Sequence, residues 1–481
     1  MAIEKLPMPA IPPRDRSRPP LLGLVALTLA LGGCAGIGSA DGFSAVSATA
    51  SEQLGKDLRW ARSEADLDAI ERRVAELLRA PLTADSAVQI ALLNNRGLQA
   101  SFQALGIADA DRVQASRLPN PGFSFGRSRR GDEREIERSL SIDLGHLLLM
   151  PLARQAESRR HAAVQRSVSM QMLGLAASTR KAYYHAIAAD QTWRYMQQVR
   201  ASAEAGAELA SRLARVGNWT ALQQAREQGF YATAALNEAR AQQGRIASRE
   251  QLIRLLGLWG EQTQFSLPER LPDLPPEPVD RPDIEQVAMA QRLDVQAAKL
   301  QAEATAKNLG LSRVSRFINV LELGYARNTS NEAPRQTGYE ISFEIPLFDW
   351  SGSRVAKAEA IYMRSVHEAA QVAIEARSEV RQAYGAYRTA WDIARHYRDE
   401  IVPNAQRISE QNLLRYNGMF IGVFELLADA RAQVASVNAA IEAQRDYWIA
   451  QADLEMALIG KPALSAAAAA TASAGGDSPA H

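Results

Sequence analysis

The chain has 481 residues, of which 47% are apolar and 23% charged, with a formal net charge of +1. That balance excludes bulk-charge attraction to nucleic acid, and the single cysteine excludes an internal disulfide. Aromatic residues make up only 6% while alanine is abundant, which suits long, closely packed helices better than a β-sandwich.

Arg14, Arg16 and Arg18 precede an apolar run from Leu21 to Leu31, followed at once by Gly32, Gly33 and Cys34. A basic start, a short apolar run and small residues predict a secretory signal peptide over 1–33. The run falls well short of the ~20 residues a helix needs to span a bilayer. Leu31-Gly32-Gly33-Cys34 resembles a bacterial lipobox. That resemblance implies cleavage before Cys34, acylation (palmitate) at Cys34 and a lipid-anchored segment over 34–80. By resemblance to sorted lipoproteins, alanine rather than aspartate at position 35 favours the outer membrane over the inner. The covalent lipid is the one non-protein group expected.

Two stretches resemble one another, one starting at Pro81 and one at Arg281. Gln99 matches Gln296 at an offset of 197, Gly217 matches Gly418 at 201, and Gly257 matches Gly460 at 203. Landmarks kept in one order with little drift predict a tandem duplication. The repeats cover 81–259 and 284–462. Between them, residues 260–283 carry six prolines and cannot form a continuous helix, so an ordered crossover or a short linker is expected. The tail over 463–481 is mostly alanine, serine and glycine, and disorder is expected there.

Each repeat opens with a predicted helix of about 35 residues. In the first, Thr83 supplies an N-cap, Asp85 a first-turn acid, and Asn94–Gly97 a kink. Leu140, Ile142 and Leu144 then alternate with Ser139, Ser141 and Asp143, and Tyr339, Ile341, Phe343 and Ile345 alternate with Glu340, Ser342 and Glu344. A period of two with one apolar face predicts half-buried strands, placed at about 121–128, 136–145, 317–327 and 337–346 and paired as hairpins. The lengths and alternation suit outer-membrane strands; a soluble hairpin is the plainer alternative.

Long helical stretches follow, from about Leu147 to Val216 and from about Ser353 to Tyr416, the second interrupted only by Pro403. Return helices run over Thr220–Leu256 and Val423–Ile459. Such rods need neighbours to bury their apolar stripes. Four strands cannot close a barrel, and open edges are not viable in lipid, so membrane-spanning strands require several copies of the chain.

The LNNRGLQA and QRLDVQAA helix starts, the LPNPGFSFG and SFEIPLFDWSGSR strand boundaries and the two hairpin turns, in this order and duplicated, resemble the TolC-like outer-membrane efflux proteins. The resemblance is particularly to the lipoprotein branch serving resistance–nodulation–division pumps. The resemblance implies a mainly α fold with a membrane β-barrel portion. Long helical hairpins of a homotrimer would form an α-barrel, continued by a barrel of twelve strands. It implies an exit duct that docks a periplasmic adaptor and an inner-membrane pump, passes small molecules or metal ions, and performs no chemistry.

The family's hairpin tips carry a Val-Gly-x-x-Ser/Thr pattern that meets the adaptor. Val216, Gly217 and Thr220 match it, while the second tip, with Gly418 and Gly422, departs from it. Plain turn chemistry is the alternative reading of these glycines. Glu425 and Asp429, four apart on one helix face, are candidates for a periplasmic gate, with a solvated face as the alternative. No phosphate-binding glycine loop, zinc motif or nucleophile elbow occurs. A pore-less periplasmic coiled-coil scaffold and an exit duct for type I protein secretion stand as alternatives.

Overall fold

The computed structural model describes residues 40–315, 321–343 and 352–462. The expected signal peptide, lipid-bearing Cys34 and disordered tail lie outside them.

Two short helices come first, α1 (Ala40–Leu54) and α2 (Glu64–Leu77). The first repeat then opens with α3 (Ala84–Asn94), capped by Thr83, whose hydroxyl accepts from Ser86 N at 3.0 Å. The expected kinked helix is in fact two helices. Asn95 is extended (φ −67°, ψ 116°) and its side chain caps α4 (Arg96–Gln114) by accepting from Leu98 N. The second repeat has the same break at Arg292 (ψ 121°), between α7 (Ile284–Gln291) and α8 (Leu293–Ser315).

Strands β1 (Gly122–Arg130) and β2 (Glu133–Asp143) follow α4, and β3 (Leu321–Ser330) and β4 (Gln336–Phe343) follow α8. They form one antiparallel sheet in the order β1-β2-β3-β4. The strands reach closer to their turns than the sequence suggested. Arg129, Arg130 and Glu133–Glu135, expected as loop, pair across the first hairpin, and Asn328 pairs with Gln336 across the second. Their charges alternate with the pleat, so a strand with two solvated ends carries the polarity that resembles a loop.

Asp143 starts α5 (Leu144–Arg215) by accepting from His146 N at 2.9 Å. At 72 residues α5 extends about 100 Å and tolerates Pro151 in its third turn. It turns back through α6 (Ala221–Leu256). In the second repeat α9 (Gly352–His396) gives way to a π-helical turn over Tyr397–Ile401, then α10 (Val402–Asn417) and the return helix α11 (Val423–Ile459). Pro403 lacks an N–H and its ring collides with the carbonyl four residues back; the widened turn just before it absorbs both effects.

The proline-rich segment is an ordered strap. Leu82 N donates to Ser266 O, Trp448 Nε1 to Pro272 O and Trp391 Nε1 to Pro275 O. Leu258, Phe265 and Leu271 join the core where α2, α3, α5 and α6 converge. Asn94 Nδ2 donates to Gly257 O at 2.7 Å and Asn95 Nδ2 to Leu255 O, so the break between α3 and α4 closes the C-terminus of α6. Gly257 is left-handed (φ 68°), and a Cβ there would lie 2.7 Å from Asn94 O. At the matching break Arg292 reaches Ala457 O near the end of α11.

Candidate functional site: the hairpin tips and the two faces of the sheet

The first tip ends α5 in a Schellman motif. Gly217 N donates to Ala214 O, Asn218 N to Leu213 O, and Gly217 is left-handed (φ 81°). Thr220 caps α6: its N–H donates to Gln223 Oε1 at 2.7 Å while its hydroxyl accepts from Gln223 N. Val216 is 69% exposed. The three residues singled out in the sequence thus share one turn.

The second tip uses the same hydrogen bonds one residue later. Met419 N donates to Tyr416 O and Phe420 N to Arg415 O, and Met419 is the left-handed residue (φ 60°). Gly418 has an ordinary φ of −82°. The expected equivalence of Gly217 with Gly418 is therefore corrected: Met419 occupies Gly217's conformation, and Gly422 occupies the cap position of Thr220. Glycine identity pairs Gly217 with Gly418, whereas the turn follows its hydrogen bonds. Gly418 has a different use. A Cβ there would sit 2.8 Å from the Phe420 ring, so its absence lets that ring fold over the turn. Met419 and Phe420 are 92% and 80% exposed.

Beyond the tips, Glu425 lies exposed in the first turn of α11, and Asp429 accepts from Asn412 Nδ2 of α10. A feature absent from the sequence reading joins the two hairpins. Glu227 of α6 is buried and paired with Arg431 of α11, whose guanidinium also stacks 4.3 Å from the Phe230 ring centroid. No local motif marks Glu227; only the fold brings it to Arg431.

The sheet, at the other end of α5, has two chemically opposed faces. Register places Phe123, Leu140, Tyr325 and Tyr339 in one row. Phe125, Ile142, Leu321, Leu323, Ile341 and Phe343 share that face. The other face carries Glu133, Glu135, Glu137, Asp143, Glu322 and Glu340 against a single cation, Arg130. Gly122, Gly126, Gly324 and Gly338 also lie on this acidic face. Small residues belong on the concave side of a curving sheet, where side chains crowd.

Residues 285–461 match the model of the family described as outer membrane efflux protein. No curated protein matches the chain by sequence. Among solved structures, the Campylobacter jejuni CmeC outer membrane channel is similar at a TM-score of 0.68 and 14% identity, covering 84% of this chain and 89% of that one. The open-state Neisseria gonorrhoeae MtrE outer membrane channel is similar at 0.65 and 19% identity, covering 81% and 89%. CusC, described as forming a transmembrane channel, is similar at 0.66 and 18% identity, covering 78% and 92%. Members of the matched family are channels, not enzymes. The chain has the fold of these channels, and its second repeat is similar to the family described as outer membrane efflux protein.

Proposed function

We propose that this chain is one protomer of an outer-membrane efflux duct, three copies of which close a twelve-stranded barrel from four strands each. The observation that carries the proposal is the two-faced sheet. Its apolar face suits lipid, its acidic and glycine-rich face suits a wet, concave lumen, and among the described residues its outer strands β1 and β4 have free edges. A pore-less scaffold has no use for such a sheet. Two copies would give about eight strands and a side-chain-filled core, so three is the smallest number that leaves a channel.

The excess of carboxylates on the inner face favours small cationic molecules or metal ions over anions. The duct works with a periplasmic adaptor and an inner-membrane pump, with Val216, Gly217, Thr220, Gly418 and Gly422 at the docking tips and Glu425 and Asp429 at a periplasmic constriction. Acyl chains on Cys34 hold the assembly to the outer membrane. Cys34→Ser would leave an unprocessed precursor without lipid label; normal labelling would exclude this anchor.

The purified full-length protein in planar bilayers should give discrete, cation-selective conductance, with a reversal potential of cationic sign under a salt gradient. A monomer without conductance would overturn the duct. Conductance without cation preference would overturn the substrate class alone.

A further inference from the structure

We propose that an arginine patch on the apolar face of the sheet binds the phosphate groups of an anionic membrane lipid, an inference that rests on the outer-membrane reading above. Arg127, Arg129, Arg134, Arg138 and Arg327 all share the face of Phe123 and Tyr325. No carboxylate of the four strands lies on that face; all six are on the other.

The arginines also occupy a defined height. Beyond the Phe123–Leu140–Tyr325–Tyr339 row, the next row away from the helices holds Phe125, Arg138 and Arg327. Arg127 follows, and Arg129 and Arg134 end the sheet beside the Gly131 turn. With rows about 6.6 Å apart, the patch covers about 13 Å of strand. That matches a headgroup layer directly above an apolar band edged by the Tyr325–Tyr339 pair, whose ring centroids are 5.6 Å apart.

Among the described residues nothing neutralises the patch. Arg129 stands opposite Arg134, and Arg138 opposite Arg327. Like charges directly opposite one another across strands are destabilising. Among the described residues Arg129 Nε donates to Gly131 O, and Arg327 Nε is buried with no partner. Among the described residues none of the five forms an ion pair. Guanidinium groups bind phosphate oxygens through paired, charge-assisted hydrogen bonds, and their stems lie readily along apolar surface. An acidic soluble protein would fit the charge, but it would have to cover the adjoining apolar band as well. A phosphorylated lipid meets both with its headgroup and its tails.

The test uses the full-length protein, delipidated in zwitterionic detergent and first shown to be an SDS-resistant trimer. Native mass spectrometry then follows a bis-phosphorylated glycolipid, its dephosphorylated counterpart, and inorganic phosphate as competitor. The phosphorylated lipid should bind at least about tenfold more tightly than its counterpart. The Arg138→Gln/Arg327→Gln variant should lose that preference. If that variant does not assemble, Arg127→Gln/Arg129→Gln beside the turn serves and should lower the preference severalfold. Equal binding of the two glycolipids, or variants that bind like the wild type, would overturn the proposal. Displacement by equimolar inorganic phosphate would overturn the lipid as ligand in favour of the free ion. Failure of the wild-type chain to form a trimer would count against the duct itself and is read separately.

Discussion

Glu227 Oε1 lies 3.4 Å from Arg431 Nη2, joining the first helical hairpin to the second through a carboxylate that is 2% exposed. Arg431 is partly solvated, but Glu227 has no water to fall back on. Arg431→Met should cost about 1–3 kcal/mol, the cost of a buried polar group left unpaired. Glu227→Leu combined with Arg431→Met should recover most of it, because no charge is then stranded. Thermal unfolding followed by circular dichroism reads both. An unchanged melting temperature in Arg431→Met would mean that the bridge contributes nothing.

Arg292 is the larger dependence. It is 1% exposed, donates to Asp294 and to Glu379 (Nη2 to Oε2, 2.6 Å), and reaches the carbonyls of Ala376 and Ala457. It therefore ties the α7–α8 break to both α9 and α11. Arg292→Met leaves two poorly solvated carboxylates side by side and should cost about 3–5 kcal/mol. Arg292→Lys should rescue little, since an ammonium cannot reproduce the planar fork. A urea titration of the three proteins would show it; near-equal midpoints for Lys and Arg would contradict this account.

The tips respond in opposite directions. Met419→Gly removes the penalty of a left-handed non-glycine residue and should stabilise the second turn by about 1 kcal/mol. Gly217→Pro cannot adopt φ 81° and loses the bond from Gly217 N to Ala214 O. Efflux in a susceptible host should fall with Gly217→Pro while the SDS-resistant trimer persists. Normal efflux would remove the first tip from docking.

Alkaline pH should destabilise the core where α2, α3, α5 and α6 converge. Burial pushes the Tyr183 and Tyr184 phenols up to about 12, and Tyr183 donates to Leu82 O at 3.0 Å. Both are neutral in the core, so their contribution is complete below the unfolded value near 10. It is lost as pH rises from there through about 12. Tyr184→Phe should narrow that loss, and stability measured between pH 8 and 12 would follow it. A flat profile to pH 12 would exclude these phenols as the cause.

The duplication, the four strands and both hairpins were legible because periodicity and turn residues are local signals. Three features were not. Met419 in a left-handed turn goes against the expectation that glycine marks the position, so glycine identity pairs the tips one residue out. Arg292 reads as an ordinary helix-surface charge until the fold brings Glu379 and the end of α11 around it. The alternation of Arg and Glu near the strand turns read as loop, although the same charges, sorted by parity, distinguish the sheet's faces.

That sorting has a consequence for assembly. Side chains alternate with every residue, so in the proposed barrel a slip of one position at β2 would turn Glu133, Glu135, Glu137 and Asp143 toward hydrocarbon and Leu140 and Ile142 toward water. Between copies, where β1 would meet β4, the same slip would turn Phe123 and Phe125, or Tyr339, Ile341 and Phe343, toward water. The charge pattern acts as a check digit for the assembling wall, rejecting wrong registers before the ring closes.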